Sequence, residues 1–189
     1  MSSQKLAPSE LWLTQASSDL AVLIRLLDAA RDDAAQTRLR CQAIAKAQQV
    51  AERAVKGIYN LLLTQREVQD VAKEVWKDHS PKPIFHGLFF APPRAARELL
   101  DQARAMLSHA SIDYDWIVSL CALAPAGVLD QRNTEYPYLL SDGTTWTAPA
   151  AETSFEDWEV KRYYKLAEAV LSVLSKLVDA AALPWRRPR

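Results

Sequence analysis

Apolar residues recur at every third or fourth position along several long stretches of this chain, and no other feature restricts its fold as strongly. Because an α-helix has 3.6 residues per turn, this spacing places the apolar side chains on one face. Only four glycines occur in 189 residues, which suits long helices better than a sheet with many tight turns. The sequence therefore predicts an all-α fold. The first helix is predicted to start with Ser9 as its N-cap and to run to about Ala30, with the stripe Leu13, Ala16, Leu20, Leu23 and Leu27.

A second long helix is predicted to pack antiparallel to the first. The polar residues 31–33 predict a short turn between them, and two long helices joined by a short loop pack antiparallel. Pro81 and Pro83 interrupt any continuation of the second helix. Its apolar stripe is Leu39, Ala43, Ala47, Val50, Ala54, Ile58, Leu61 and Leu62.

A third helix is predicted to start near Pro92-Pro93, and a short helix is predicted over residues 112–123. Residues 126–153 contain Asp-Gly, Tyr-Pro and Ala-Pro dipeptides, which predict a long irregular connection before the last helix. The stripe of the third helix is Ala96, Leu99, Leu100, Ala103 and Leu107.

The last helix has the clearest pattern in the chain. Ser154 followed by Asp157 resembles a capping box at its start, and Pro184 marks its end. One domain is therefore expected over residues 1–184, followed by a basic, disordered tail at 185–189. The stripe of the last helix is Val160, Tyr163, Tyr164, Ala167, Val170, Leu171, Leu174, Leu177 and Val178.

Charge and cysteine content narrow the function classes. The formal net charge is zero, so no global positive field attracts nucleic acid, and any contact with RNA or a nucleotide must be local. Cys41 and Cys121 lack the paired spacing of a zinc site, so we expect buried reduced thiols and neither metal nor cofactor. The first ten residues lack the basic-then-apolar order of a signal peptide, and no apolar run is long enough to cross a membrane. These observations predict a cytoplasmic protein without a membrane segment.

Several runs of residues resemble the HEPN family. The most specific is the string from Gln48 to Gly57, QQVAERAVKG, which follows Cys41 in the second predicted helix. The run from Trp12 to Leu20, the triplet His86-Gly87-Leu88 and the pair Tyr136-Pro137 resemble further family elements in the expected order. The resemblance spans roughly residues 9–180.

This resemblance implies an up-and-down bundle of four or five helices that commonly dimerises. HEPN domains occur in nucleotide-binding modules, in toxin partners of nucleotidyltransferase antitoxins, and in RNases of defence systems, and the fold alone does not choose among these roles. Some members carry Arg-Tyr-Pro where this chain has Glu135-Tyr136-Pro137, with Arg132 three residues earlier.

Arg104 and His109 have the spacing of the Arg-x4-6-His motif that the resemblance associates with metal-independent RNA cleavage. In that chemistry an imidazole moves protons during attack by the ribose 2′-hydroxyl, and a guanidinium stabilises charge on the phosphate. Ala105 stands where the motif usually has a polar residue. Residues 105–107, Ala-Met-Leu, favour a packed helix over the polar wall of a cleft. A solvated arginine and a histidine at a helix end are the favoured interpretation of the pair.

Six residues are candidates for contact with RNA or a nucleotide. The three basic residues on the polar side of the second helix suit a phosphate, although a solvated face is the more common role of such residues. The tyrosines could stack on a base, although packing or interface roles are commoner. The candidates are Lys46, Arg53, Lys56, Arg132, Tyr136 and Tyr138.

These patterns favour a dimeric HEPN-like binding or assembly module, associated with nucleotide or RNA in a toxin–antitoxin or defence-type system. A nucleotidyltransferase is one candidate partner. Two alternatives stay open: a metal-independent endoribonuclease that uses Arg104 and His109, and a purely structural subunit of a larger complex. The incomplete motif favours a protein that is not catalytic alone.

We predict that the protein is a homodimer, because the apolar stripe of the last helix is wider than one antiparallel neighbour covers and because HEPN proteins commonly pair. Light scattering at micromolar concentration is expected to give about twice the chain mass of 21.2 kDa. A mass near 21.2 kDa across that range would contradict the dimer, and with it an RNase cleft shared between subunits.

Overall fold

The computed structural model describes residues 9–29, 36–64, 138–139, 142–148 and 155–182, together with residues 101, 105, 108, 119 and 120. Three long helices and one short ladder make up most of this part of the chain. They are α1 (Ser9–Ala29), α2 (Gln36–Thr64), β1 (Tyr138–Leu139), β2 (Trp146–Thr147) and α3 (Asp157–Ala182). The predicted all-α class is confirmed for the described residues, and the count of four or five helices stays a prediction.

Helices α1 and α2 pack antiparallel, as predicted. Trp12, near the start of α1, lies against Gly57, near the end of α2. Asp19, further along α1, contacts Lys46 and Arg53, which lie nearer the start of α2. The predicted stripe of α1 faces this contact: Ala16 and Leu23 are fully buried, and Leu13, Leu20 and Leu27 pack partly buried against the core.

Helix α3 runs parallel to α2 and therefore antiparallel to α1. At one end of the pair, Arg40 of α2 forms an ion pair with Asp157 and donates to the carbonyl oxygen of Phe155. Towards the other end, Gly57 of α2 faces Leu174 of α3. Every residue of the predicted α3 stripe is buried except Tyr164, which is partly buried against the same core. The α3 stripe is therefore confirmed.

Helix α2 is the core helix of the described structure. Between Cys41 and Leu61, only Gln42 is exposed and only Lys46, Gln49 and Arg53 are partly exposed. A helix buried on nearly all sides is typical of the centre of a bundle. Burial raises the pKa of the Cys41 thiol to about 11, in agreement with the predicted buried thiol, while Cys121 lies outside the described residues.

Helix α3 begins later than the sequence predicted. Its cap is formed by Glu156 and Glu159: the Glu156 N–H donates to Glu159 Oε2 at 3.1 Å, and the Glu159 N–H donates to the Glu156 carbonyl at 3.0 Å. The predicted cap at Ser154 with Asp157 is wrong in register, because the first helical hydrogen bonds go to the Glu156 carbonyl. The Asp157 carboxylate instead pairs with Arg40 at 2.5 Å. The longer glutamate side chain reaches back to the backbone N–H, as in a capping box.

The predicted irregular connection over residues 126–153 contains a short antiparallel ladder, so the prediction that this segment is wholly irregular is wrong. Tyr138 pairs with Thr147, and Leu139 pairs with Trp146. Aromatic and threonine residues favour extended backbone, and an Asp-Gly pair between such residues is a strong hairpin signal. The Asp-Gly dipeptide of this segment therefore marks a turn between strands.

Side-chain and backbone hydrogen bonds hold that turn. Asp142 accepts hydrogen bonds from the Thr145 hydroxyl at 2.5 Å and from the N–H groups of Thr144 and Thr145 at 2.9 Å each. These bonds, the one from the Thr145 hydroxyl first, lower the pKa of Asp142 to about 2. Gly143 has a φ of 71°, a conformation that residues with a side chain rarely adopt.

The described residues of the middle of the chain agree with the predicted helices there. Asp101, Ala105 and Ser108 are helical and exposed, on the side opposite to the predicted stripe of the third helix. Ser119 and Leu120 are helical within the predicted short helix, and Leu120 is buried in the core. None of the described helices combines the length and apolarity needed to cross a membrane.

We predict that Gly57→Ala destabilises the protein. A Cβ at this position would lie 2.7 Å from Leu174 Cδ2 and 3.0 Å from Trp12 Cβ, so it overpacks a three-helix contact. Overpacking costs about 1–3 kcal/mol, whereas alanine gains about 1 kcal/mol of helix propensity. Urea unfolding is expected to show a net loss of up to about 2 kcal/mol. The same Gly57→Ala change is expected to cost less in a Leu174→Ala background than in the parent, and a Gly57→Ala protein more stable than the parent would contradict the close approach.

Candidate functional site

Four polar residues spaced every fourth position along α2 lie inside the protein. Such spacing places them in one line along the helix. Charged residues are rarely buried unless they are paired. We call this line the buried polar row, and it consists of Gln48, Glu52, Lys56 and Asn60.

Glu52 is the centre of the buried polar row. Lys56 Nζ donates to Glu52 Oε1 at 2.6 Å, and Gln48 Nε2 donates to Glu52 Oε2 at 3.4 Å. Lys56 was expected on the polar side of the helix, but it is only 3% exposed, so a solvated position for it is wrong. Its charge is tolerated there because the carboxylate one turn earlier neutralises it.

A second polar line on α2 is partly exposed and borders the buried row. It consists of Lys46, Gln49 and Arg53, and we call it the α2 rim. Asp19 of α1 faces it: Asp19 Oδ1 lies 3.4 Å from Lys46 Nζ, and Asp19 Oδ2 pairs with Arg53 Nη1. Lys46 Nζ also donates to Gln49 Oε1 at 2.7 Å. The rim is therefore held by contacts from both helices.

The charged groups of this site differ in their exposure. One carboxylate, that of Asp19, faces two cations, those of Lys46 and Arg53. The Asp19 side chain is 7% exposed, whereas those of Lys46 and Arg53 are 30% and 27% exposed. The negative group thus lies behind, and the two positive groups lie nearer to solvent.

This arrangement suits an anion with several oxygen acceptors. A guanidinium presents donors in a planar fork that matches a phosphate or carboxylate, and an ammonium adds a compact charge. Because Asp19 already fixes Lys46 and Arg53, little side-chain freedom is lost when an anion binds. The same contacts also stabilise the packing of α1 on α2.

Most other candidate residues of the sequence fall outside the described part of the chain. Arg104, His109, Arg132 and Tyr136 lie there, and so does the side chain of Tyr138, whose backbone forms β1. Ala105, which lies between Arg104 and His109, is helical and exposed, whereas residues 106 and 107 lie outside the described part of the chain. Three candidates can therefore be placed: Lys46 and Arg53 share the rim, while Lys56 belongs to the buried polar row.

Asp19 is the residue that sequence reasoning left without a role. A signal for it exists in the chain, because Asp19 falls among Ala16, Leu20 and Leu23 on the apolar face of α1. An acidic residue inside an apolar stripe needs a buried cation as a partner. Lys46 and Arg53 of α2, the next helix along the chain, supply that partner.

Comparison of the chain with protein-family models, curated proteins and solved structures found no match. The HEPN resemblance therefore stays a prediction. Within the described ranges, no group of three or more histidine, cysteine, aspartate or glutamate residues could hold a metal ion.

We predict that Glu52→Gln costs far more stability than Asp157→Asn. Glu52→Gln leaves the Lys56 ammonium buried without its carboxylate, and breaking such a pair costs about 3–5 kcal/mol. Asp157 pairs with Arg40 but its side chain is 68% exposed, so its loss is expected to cost about 1 kcal/mol or less. Chemical denaturation of both variants measures the difference.

A Glu52→Leu/Lys56→Met variant provides the control, because it removes both charges and keeps the volume. We expect it to recover most of the stability that Glu52→Gln loses. Equal, small losses for Glu52→Gln and Asp157→Asn would contradict a buried ion pair.

Proposed function

We propose that this chain is a HEPN-like, dimeric binding module whose α2 rim holds a phosphate group of RNA or of a nucleotide. In this proposal it works in a toxin–antitoxin or defence-type system and is not catalytic alone. The observation that carries the proposal is the buried Asp19 carboxylate, which orders two partly exposed cations, those of Lys46 and Arg53.

A local site of this kind fits a chain with zero net charge. A protein without a global positive field gains phosphate affinity only where cations are concentrated and ordered. Lys46 and Arg53 lie two helical turns apart on one side of α2, with Gln49 between them. Gln49 accepts a hydrogen bond from Lys46 through Oε1 and so helps to hold this cation in place.

The directions of the helices support the proposed architecture. In an up-and-down bundle of four helices, the second and the last run in the same direction and the first runs opposite to both. Helices α1, α2 and α3 have these relative directions, as their contacts at Gly57, Arg40 and Asp19 indicate. This geometry supports the four-helix form of the HEPN-like bundle, because in an up-and-down bundle of five helices the last would run opposite to the second.

Two exposed apolar residues of α1 support a protein interface. Leu11 and Val22 are both exposed, and about three helical turns separate them, so they share one face of α1. Such a face suits a second copy of the chain or a nucleotidyltransferase partner. We propose the homodimer as the basic form of the protein.

No observation favours the RNase or the purely structural alternative over binding. Arg104 and His109, which an RNase requires, lie outside the described residues. The packing of α1 on α2 requires the contacts with Asp19 but does not require that two cations lie partly exposed at the surface. Binding is therefore the function that the described site supports best.

We predict that Arg53→Gln weakens RNA binding about tenfold or more, because a charged hydrogen bond to phosphate contributes about 1.5–3 kcal/mol. The dependence of RNA affinity on salt concentration should also weaken, by the equivalent of about one phosphate contact. Fluorescence anisotropy with a short labelled single-stranded RNA, with ATP as competitor, measures both. The matched control is Lys176→Gln, which removes one exposed cation from the far part of α3.

If the Arg53→Gln and Lys176→Gln variants bind RNA with equal affinity, the α2 rim is not the binding site. The same RNA incubated with the protein in EDTA tests for cleavage, and we expect it to stay intact. Cleavage that is lost in folded Arg104→Ala and His109→Ala variants would establish the RNase instead.

A further inference from the structure

The outer face of α1 carries a regular line of exposed residues. Leu11, Gln15, Ser18, Val22 and Arg25 are all exposed. Their spacing alternates between four and three residues, so at about 100° per residue they lie within about 80° of the helix circumference. Alternating steps of four and three are the pattern with which two helices pack along a common seam. We call this line the α1 seam, and it includes no residue of the α2 rim.

Two residues of the α1 seam are apolar although they face solvent. Leu11 is 58% exposed and Val22 is 40% exposed. Five large hydrophobic side chains are exposed within the described part of the chain, and three of them lie on α1, the third being Ile24. A single exposed apolar residue is common in proteins, but these two would both leave water if a second helix packed along the seam.

The α1 seam is complementary to itself when a second copy runs antiparallel. A two-fold axis perpendicular to the paired helices makes every contact reciprocal, so if Leu11 of one copy meets Val22 of the other, the opposite contact forms as well. The same register sets Gln15 opposite Ser18, because both pairs are centred between residues 16 and 17 of α1. An amide and a hydroxyl facing each other can form a hydrogen bond. Apolar contacts thus lie at both ends of the seam and polar contacts lie between them.

The order of the charges along α1 favours the same direction. Glu10 near the start of α1 and Arg25 near its end are both exposed, and within the described ranges neither takes part in an ion pair. In the antiparallel register, Arg25 of one copy lies about 3 Å along the axis from Glu10 of the other, on the same flank of the seam. Asp28 adds a negative charge near Arg25, so this part of α1 carries both signs. A parallel pair would instead set each charge level with its own copy.

We propose that the α1 seam is the interface of the homodimer, in which two copies of α1 pack antiparallel with Leu11 against Val22 and Arg25 beside Glu10. The inference rests on the proposed function for the dimeric state, and it adds the surface, the direction and the register. A different protein as partner would not require the seam to match its own reversed copy. Because only four apolar side chains leave water, the interface is small, and we expect micromolar affinity.

The first test compares Val22→Glu with Ile24→Glu by light scattering across the micromolar range. The two side chains are almost equally exposed, at 40% and 41%, but positions two residues apart on a helix point about 160° away from each other. Val22→Glu is expected to weaken dimerisation about tenfold or more, because each interface would then bury two unpaired carboxylates. Ile24→Glu is the matched control and is expected to change the dimer affinity about twofold or less. Thermal unfolding followed by circular dichroism verifies that both variants are folded.

The second test determines the register by disulfide cross-linking. A Leu11→Cys/Val22→Cys double variant is expected to form cross-linked dimers under mild oxidation, because each new thiol lies opposite the other one of the second copy. Leu11→Cys alone is expected to stay uncross-linked, because the antiparallel register separates the two copies of this position by about 16 Å along the axis, beyond the reach of a disulfide. Cys41 is fully buried, and the parent protein under the same oxidant gives the background.

The outcomes separate this inference from the proposed function. If the Val22→Glu and Ile24→Glu variants dimerise as strongly as the parent, the homodimer stands and the α1 seam is overturned as its interface. If the parent chain is a monomer throughout the range, both the seam and the proposed dimer are overturned, whereas binding of RNA to the α2 rim is decided separately by Arg53→Gln. Cross-linking of Leu11→Cys alone would show a parallel pair and overturn the antiparallel register.

Discussion

The close approach of three helices at Gly57 is the contact on which the described structure depends. Without a Cβ there, Leu174 of α3 and Trp12 of α1 reach the backbone of α2 from two sides. A glycine in a helix costs conformational entropy, so its presence inside α2 indicates a packing requirement. This contact places α1 and α3 on α2 and thereby positions everything that α2 carries.

The polar residues of α2 fix the arrangement in a second way. Apolar packing tolerates small slips between helices, but buried charges do not, because each must meet its partner. Asp19 meets Arg53 and Lys46 in only one register of α1 on α2. The same contacts that specify the fold therefore also order the cations of the rim, which is why a structural and a binding role coincide in these residues.

Periodicity predicted the helices well and the polar contacts poorly. The stripes of α1, α2 and α3 were predictable because apolar burial follows helix geometry residue by residue. The burial of Lys56 was not predictable, because it depends on the pairing with Glu52 and on how many other helices surround α2. The apolar pattern of one helix contains no information about the helices that pack against it. The α3 cap was misplaced because Asp157 pairs with Arg40, a residue of α2 that is distant in the sequence. The ladder at Tyr138 was missed because two-residue strands are too short to show alternation.

The burial of Cys41 in the core helix affects how readily its thiol is oxidised. Only a thiolate reacts readily with oxidants and disulfides, and at a pKa of about 11 this thiol is almost never ionised in the folded protein. Its side chain is also closed to reagents by the surrounding core. We therefore expect oxidation at Cys41 to require a local opening of α2, which ties chemical damage at this atom to the stability of the core.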